Sequence, residues 1–466
     1  MTNRKRPLYC LLLAILFLSL ACNLPRPAEP SATEEATETA ASSVEITNQP
    51  DETPAVLATD AVESPEAIPT DEMETPIAPA AELTGLKVVY TKDGNLWLWA
   101  GESALPLTSS GEVFMPCLSP DGEIVAFLRP VDDFHTELWA IDTDGTDERR
   151  LVSVADLDKI GGGVRDPSAA AVNPYSFEWQ PGSHTLAFNT YQVFQGPGHA
   201  LLDDLNLVDA DTLEITNLLL AGWGGEFTYS PDGSQVALST PSAILLADAD
   251  GGNYRQVLAY QPVITYSEYR YYAKPLWSPD GMFLRVAIPP VDPLALPAQP
   301  TSLWKIPTDG SPPVQEGSLT AVPFFEEPPT YSPDLSRLAY LVEAGQPAEN
   351  LRQLQLATYD GAGGWTYYKA AMLHFAGWSP DSRSFVFIKG EDQQAWLGSL
   401  DAAAETLPGD LNGVSRFTWV DASYYLYLME KAGIFDFYLA SLDGEATLID
   451  TLPQPPDFDF TYSSSD

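Results

Sequence analysis

Leu118-Ser119-Pro120-Asp121-Gly122, then Glu123 and the apolar run Ile124-Val125-Ala126-Phe127-Leu128, is the stretch on which the fold turns. Serine suits the first position of a tight turn, proline fixes φ at the second, and Asp then Gly suit the last two. The run that follows is short, apolar and β-branched, so the unit reads as two antiparallel strands joined by a turn.

The phrase recurs as Trp179-Gln180-Pro181-Gly182, Tyr229-Ser230-Pro231-Asp232-Gly233 and Trp277-Ser278-Pro279-Asp280-Gly281. It continues as Tyr331-Ser332-Pro333-Asp334, Trp378-Ser379-Pro380-Asp381 and Trp419-Val420-Asp421. The leading residues step by 61, 50, 48, 54, 47 and 41. A strand follows each time, for example Thr185–Phe188, Val236–Leu238, Leu338–Tyr340 and Phe385–Ile388. A third strand such as Glu137–Ile141 or Ser302–Ile306 comes next. Then come an Asp/Gly turn (Asp142–Gly145, Asp248–Gly251, Thr308–Gly310) and an outer strand. Four strands per repeat, at this period, make one blade of a β-propeller.

The pattern resembles the TolB-like, WD-like propeller repeats over about 86–466, most closely from Ser119 to Leu151. The resemblance implies an all-β propeller of four-stranded antiparallel blades. It says little about function, because propellers host many activities.

Leu86–Tyr90, Asn95–Trp99 and Ala104–Thr108 read as strands two, three and four of a blade whose first strand is missing. Phe458-Asp459-Phe460-Thr461-Tyr462 resembles the motif strand Phe227–Asp232 and lies in step, Tyr462 falling 43 residues after Trp419. The C-terminal strand is therefore expected to close the ring, which removes its open edges. Seven complete repeats and this shared blade make eight. Seven is the alternative if the weak repeat 175–219 is not a blade.

Arg4, Lys5 and Arg6 precede an apolar run from Leu8 to Leu20, shorter than a membrane-spanning helix needs and suited to a signal peptide. The end, Leu18-Ser19-Leu20-Ala21-Cys22, resembles a bacterial lipobox, with Ser19 standing where leucine is usual. That resemblance implies 1–21 as a lipoprotein signal peptide and Cys22 as the lipid-bearing mature N-terminus. Residues 22–83 then form a tether of Pro, Ala, Thr, Ser and Glu. From residue 23 on it holds fourteen acids, one arginine and no aromatic residue. Such a composition is expected to stay extended and disordered. The propeller occupies 84–466.

With 23 Lys and Arg against 65 Asp and Glu, the net charge is -42, which excludes nucleic acid as a partner. Cys10, Cys22 and Cys117 are too few for a disulfide framework, and His135, His184, His199 and His374 show no ligand-like spacing. The Asp142, Asp144 and Asp147 cluster lacks a calcium-loop spacing and reads as turn chemistry. No Gly-x-Ser-x-Gly elbow, His-Glu-x-x-His, Cys-x-x-Cys or phosphate loop occurs, and Gly361–Gly364 lacks the lysine of one. No catalytic residue, metal site or cofactor is therefore expected.

Tyr266, Tyr269, Tyr271 and Tyr272 are the local candidate for a binding surface, able to stack on sugars or grip a peptide. The competing reading is an outer strand with ordinary aromatic packing. In a four-stranded meander the insertions 152–174, 192–203, 259–274, 289–301 and 343–350 should all leave one face, opposite the tight turns. The leading expectation is a monomeric, membrane-anchored extracytoplasmic protein of the bacterial envelope that binds a protein or an envelope polysaccharide on that face. The alternative is a propeller glycoside hydrolase using carboxylates in the central funnel. A third reading, an envelope assembly factor, rests on analogy with TolB alone.

Overall fold

The computed structural model describes residues 83–161, 165–196, 198–346, 350–409 and 411–463. The signal segment, Cys22 and all of the tether but Leu83 lie outside them. Within them the strands form eight sheets. Each is a four-stranded antiparallel blade, and the third carries one strand more. Blade 2 runs Phe114–Leu118, Ile124–Pro130, Thr136–Asp142 and Arg149–Val152, from the axis outward. The weak repeat forms a true blade, Ala169–Trp179, Thr185–Phe194, Leu205–Asp209 and Ile215–Leu219, so the count is eight.

Blade 1 closes the ring as the sequence implies. Phe458–Tyr462 is its inner strand, paired antiparallel with Leu86–Lys92 from Leu86↔Tyr462 to Tyr90↔Phe458. The closing strand also grips blade 2, because the Asp459 carboxylate accepts the Leu118 N–H at 2.8 Å. Blade 8 is held to blade 1 by Lys92 and the Tyr90 hydroxyl, both on the Asp450 carboxylate at 2.7 Å.

The second strands are almost wholly apolar because a blade is buried on both faces. Successive side chains of a strand point to opposite faces. Val125 and Phe127 accordingly pack with Val89 and Leu96 of blade 1, while Ile124, Ala126 and Leu128 pack with Leu186 and Phe188 of blade 3. Eight such interfaces run round the ring, the last joining Leu426 and Phe437 of blade 8 to Val88 and Tyr90.

The turn motif is a closed hydrogen-bond unit. Buried Ser119 donates to Asp121 Oδ1 at 2.6 Å and accepts the Ile124 N–H at 2.9 Å, while Gly122 N–H returns to the Ser119 carbonyl at 2.8 Å. Ser230, Ser278, Ser332 and Ser379 repeat the bond to their aspartates. The fourth position is left-handed, φ 69° at Gly122, and the two motifs without glycine force Leu335 to 58° and Ser382 to 62°. The leading tryptophans have a role beyond packing. Trp179, Trp277, Trp378 and Trp419 each donate their indole N–H to a carbonyl of the preceding blade's inner strand, at Cys117, Thr228, Thr330 and Gly377.

Candidate binding site

Five connections occupy the face opposite the tight turns, as strand polarity requires. Their shapes differ from a plain reading of insertions. The span 152–174 holds a helix, Val154–Gly161, and the start of the inner strand of blade 3, at Ala169. Ser153 caps that helix, its hydroxyl accepting the Asp156 N–H at 3.2 Å, and Leu157 buries itself between blades 2 and 3. The Ser153-x-x-Asp156 spacing is the signal that announces such a start. In 192–203 the second strand continues to Phe194, and a short strand, His199–Leu201, folds back along it.

The links 259–274 and 289–301 are tied together. Ile264 N–H donates to the Val291 carbonyl at 2.8 Å, and the Tyr266 hydroxyl donates to Asp292 at 2.6 Å. Residues 266–272 contain no strand, so the alternative reading of that stretch as an outer strand is wrong. The chain here follows the outer strand Arg255–Ala259 and crosses to the next blade.

Behind these links lies a cavity of about 600 Å³, within the size range of ligand pockets. Three of the four tyrosines line it: Tyr269, Tyr271 and Tyr272. Tyr266 stands outside, exposed and pinned to Asp292. Tyr271 packs edge-to-face on Phe324 at 4.7 Å between ring centroids, and Phe324 on Phe325 at 5.3 Å. Tyr272 reaches Asp203 of the blade 3 loop at 2.8 Å, and burial holds both its phenol and that carboxyl above their ordinary ranges. Phe324 and Phe325 were not singled out from the sequence. Their only signal is the aromatic pair inside a proline-rich link, Pro323 to Pro329.

Lys274 and Glu226 form an ion pair at 2.6 Å, and both residues line this cavity and a second of about 580 Å³ beside it. The second hollow holds Tyr175, Tyr191 and Glu178. Burial pushes the Glu178 carboxyl up to about 7, against one backbone N–H, from Tyr229, that favours its charge. A third hollow, about 330 Å³, meets Cys117, Arg416 and Asp459. Burial raises the Asp459 carboxyl and pushes the Cys117 thiol far up, so Cys117 is an inert thiol.

On the tight-turn face the fold brings together residues that the sequence leaves apart. His184 places Nε2 2.9 Å from Asp121 and Nδ1 3.1 Å from Asp211, and ligand atoms of Asp121, Glu123 and His184 lie within 4.8 Å of one another. The bond to Asp121 holds the imidazole pKa above its usual value, so the group acts as a charged staple between blades 2 and 3. Asp142 and Asp147 share Arg149, at 2.7 and 3.1 Å, while Asp144 accepts the N–H and hydroxyl of Thr146. That trio works as turn chemistry.

No protein-family model and no curated protein matches the sequence. Solved structures do match in fold. A eukaryotic initiation factor aligns with 82% of this chain and 100% of its own, at 11% identity and a TM-score of 0.49. TolB from Acinetobacter baumannii aligns over 60% of this chain and 63% of its own, at 15% identity and a TM-score of 0.31. The β-propeller domain of the Trilobed protease from Pyrococcus furiosus aligns over 60% and 83%, at 11% identity and a TM-score of 0.41. The chain is a β-propeller whose repeats resemble those of TolB-like proteins. At these identities the likeness concerns the fold alone, and the eight blades stand on the sheet order itself.

Proposed function

We propose that this propeller is a binding protein of the bacterial envelope, held to a membrane by a lipid on Cys22, which captures a protein or an envelope polymer on its long-loop face. One observation carries the reading. The two linked insertions 259–274 and 289–301 stand over an aromatic cavity whose walls include Tyr269, Tyr271 and Tyr272, while the opposite face is sealed by short turns. Long loops on a rigid scaffold are where recognition usually resides. The tether of 22–83 would let a monomer reach away from the bilayer, and a charge of -42 keeps it clear of nucleic acid.

The test is capture of envelope components by the full chain. Shortening 259–274 and 289–301 together should abolish capture and leave the melting temperature near its original value. Capture that survives this, and is lost when exposed residues of the tight-turn face are changed, overturns the reading. Replacing Cys22 with alanine should release the protein from the membrane fraction.

A second reading, hydrolysis of a sugar polymer in the funnel, draws on Glu178 and Asp459, two buried carboxyls held above their ordinary ranges. Release of reducing sugar from envelope polysaccharide that stops in Glu178→Gln would favour it over binding alone.

A further inference from the structure

The inner strand of blade 5 is cut short. It consists of Leu276–Trp277, against the six-residue second strand Phe283–Ile288. The pairs are Leu276↔Arg285 and Trp277↔Leu284, and Ser278 N–H donates to the Phe283 carbonyl at 2.8 Å. Residues of an antiparallel strand alternate the edge to which their N–H and C=O point. Phe283 and Arg285 face the axis, so Ala287 faces it too, with no first-strand partner among the described residues. On its other edge Ala287 is opposite Leu303. Blade 8 is different, since Val414–Trp419 covers its second strand from Tyr425 to Met429. Blade 6 also has a two-residue inner strand, Thr330–Tyr331, but there the link covers the edge, Val322 N–H donating to the Leu341 carbonyl at 2.9 Å. In blade 5 the Ala287 carbonyl takes the Tyr271 hydroxyl at a long 3.4 Å, and Ala287 lines the aromatic cavity.

Charge at the cavity is uneven. Glu226 is matched by Lys274. Arg270, also on the wall, makes no ion pair or hydrogen bond among the described residues. The acid whose field it most affects, Asp203, is engaged by the Tyr272 hydroxyl. A guanidinium without a partner, in a chain of net charge -42, points to one anionic group on an otherwise apolar ligand. A free strand edge beside aromatic walls points to extended backbone. The cavity is the size of a small ligand, which suits a chain end better than a polymer passing through.

We propose that this cavity receives the carboxyl-terminal residues of an extended apolar peptide, which lies on Ala287 as the missing part of the blade 5 inner strand and sets its carboxylate on Arg270. This rests on the long-loop face as the binding face and names what it binds. The aromatic rings of Tyr271, Phe324 and Phe325 then receive the side chains, while Ala287 N–H and C=O read the backbone of any sequence.

The test uses the immobilised full chain and two pools of hexapeptides, randomised over apolar residues at their last positions. One pool carries free carboxylates and the other C-terminal amides. Mass spectrometry of what is retained should favour the acids roughly tenfold or more, the scale of one charge-assisted bond. Arg270→Gln should bring acids down to the level of amides with the melting temperature unchanged. N-methylation of the best acid at the residue opposite Ala287 should weaken it by a similar factor. Equal retention of the two pools, or of neither, overturns the proposal. So does an acid that tolerates N-methylation and is displaced by dodecanoate, since the cavity would then be an amphiphile site. If the pools fail while shortening 259–274 and 289–301 still abolishes capture of envelope components, only this inference falls and the long-loop reading stands.

Discussion

On the tight-turn face, blade 2 passes from its first strand to its second through a turn in which Ser119, Asp121 and Gly122 satisfy one another's hydrogen bonds. On the other face, blades 4 and 5 are joined by a long strandless link that leaves Ile264, Tyr266 and Tyr269 exposed, facing a second loop that exposes Val291, Leu294 and Leu296. Leu296 is 94% exposed. One face uses its side chains to hold the ring, and the other spends apolar surface on solvent. Apolar groups held in water by a rigid frame contribute nothing to stability, so their retention speaks for recognition. Function and stability are thereby carried by different faces, and substitutions can separate them.

The largest effect should come from the closure. Removing 455–466 takes away the inner strand of blade 1 and the Asp459 bond to blade 2. Thermal unfolding followed by circular dichroism should show a midpoint lower by about 10 °C or more, or no cooperative transition. An unchanged midpoint would mean that the ring does not depend on its closing strand.

Glu178, in the funnel between the faces, comes next. Its folded pKa is about 7 against an ordinary 4.5, so the folded state binds the proton more tightly than the unfolded chain. This carboxyl therefore costs stability progressively as pH rises from about 4.5 to 7, and above 7 the cost is complete. Glu178→Gln should raise stability at pH 8, by at most about 3 kcal/mol, and change little at pH 4. Denaturant titrations at the two pH values decide it, and a gain of equal size at both would remove the assigned cause.

Ser332→Ala leaves buried turn groups without their partner and should cost about 1–3 kcal/mol in urea unfolding. Ser267→Ala, in the exposed link on the opposite face, should stay within about 0.5 kcal/mol. Comparable losses at both would erase the contrast between the faces.

The smallest effects should be the most telling. Leu294→Ser and Met282→Ser both alter exposed apolar side chains, one on each face, and each should shift stability by less than about 0.5 kcal/mol. Only Leu294→Ser should lower capture of envelope components. If Met282→Ser lowers it equally, the binding face has been misassigned.

The sequence by itself determined the blades, their order and the closing strand. Turn chemistry is local: Ser-Pro-Asp-Gly closes the same hydrogen bonds wherever it stands, and an unbroken apolar strand declares that both its faces are buried. Strand alternation alone then assigned each insertion to a face. What only the tertiary structure decided is the cavity and its charge. Tyr271 and Phe324 are brought into contact across two blades, Glu226 meets Lys274 from a neighbouring blade, and His184 finds Asp121 across an interface. The bare edge at Ala287 exists because the link before Leu276 runs elsewhere, with Tyr272 anchored on Asp203 of blade 3. None of these follows from a repeat, because each joins segments that differ from their counterparts in the other blades, and their approach is set by the curvature of the closed ring.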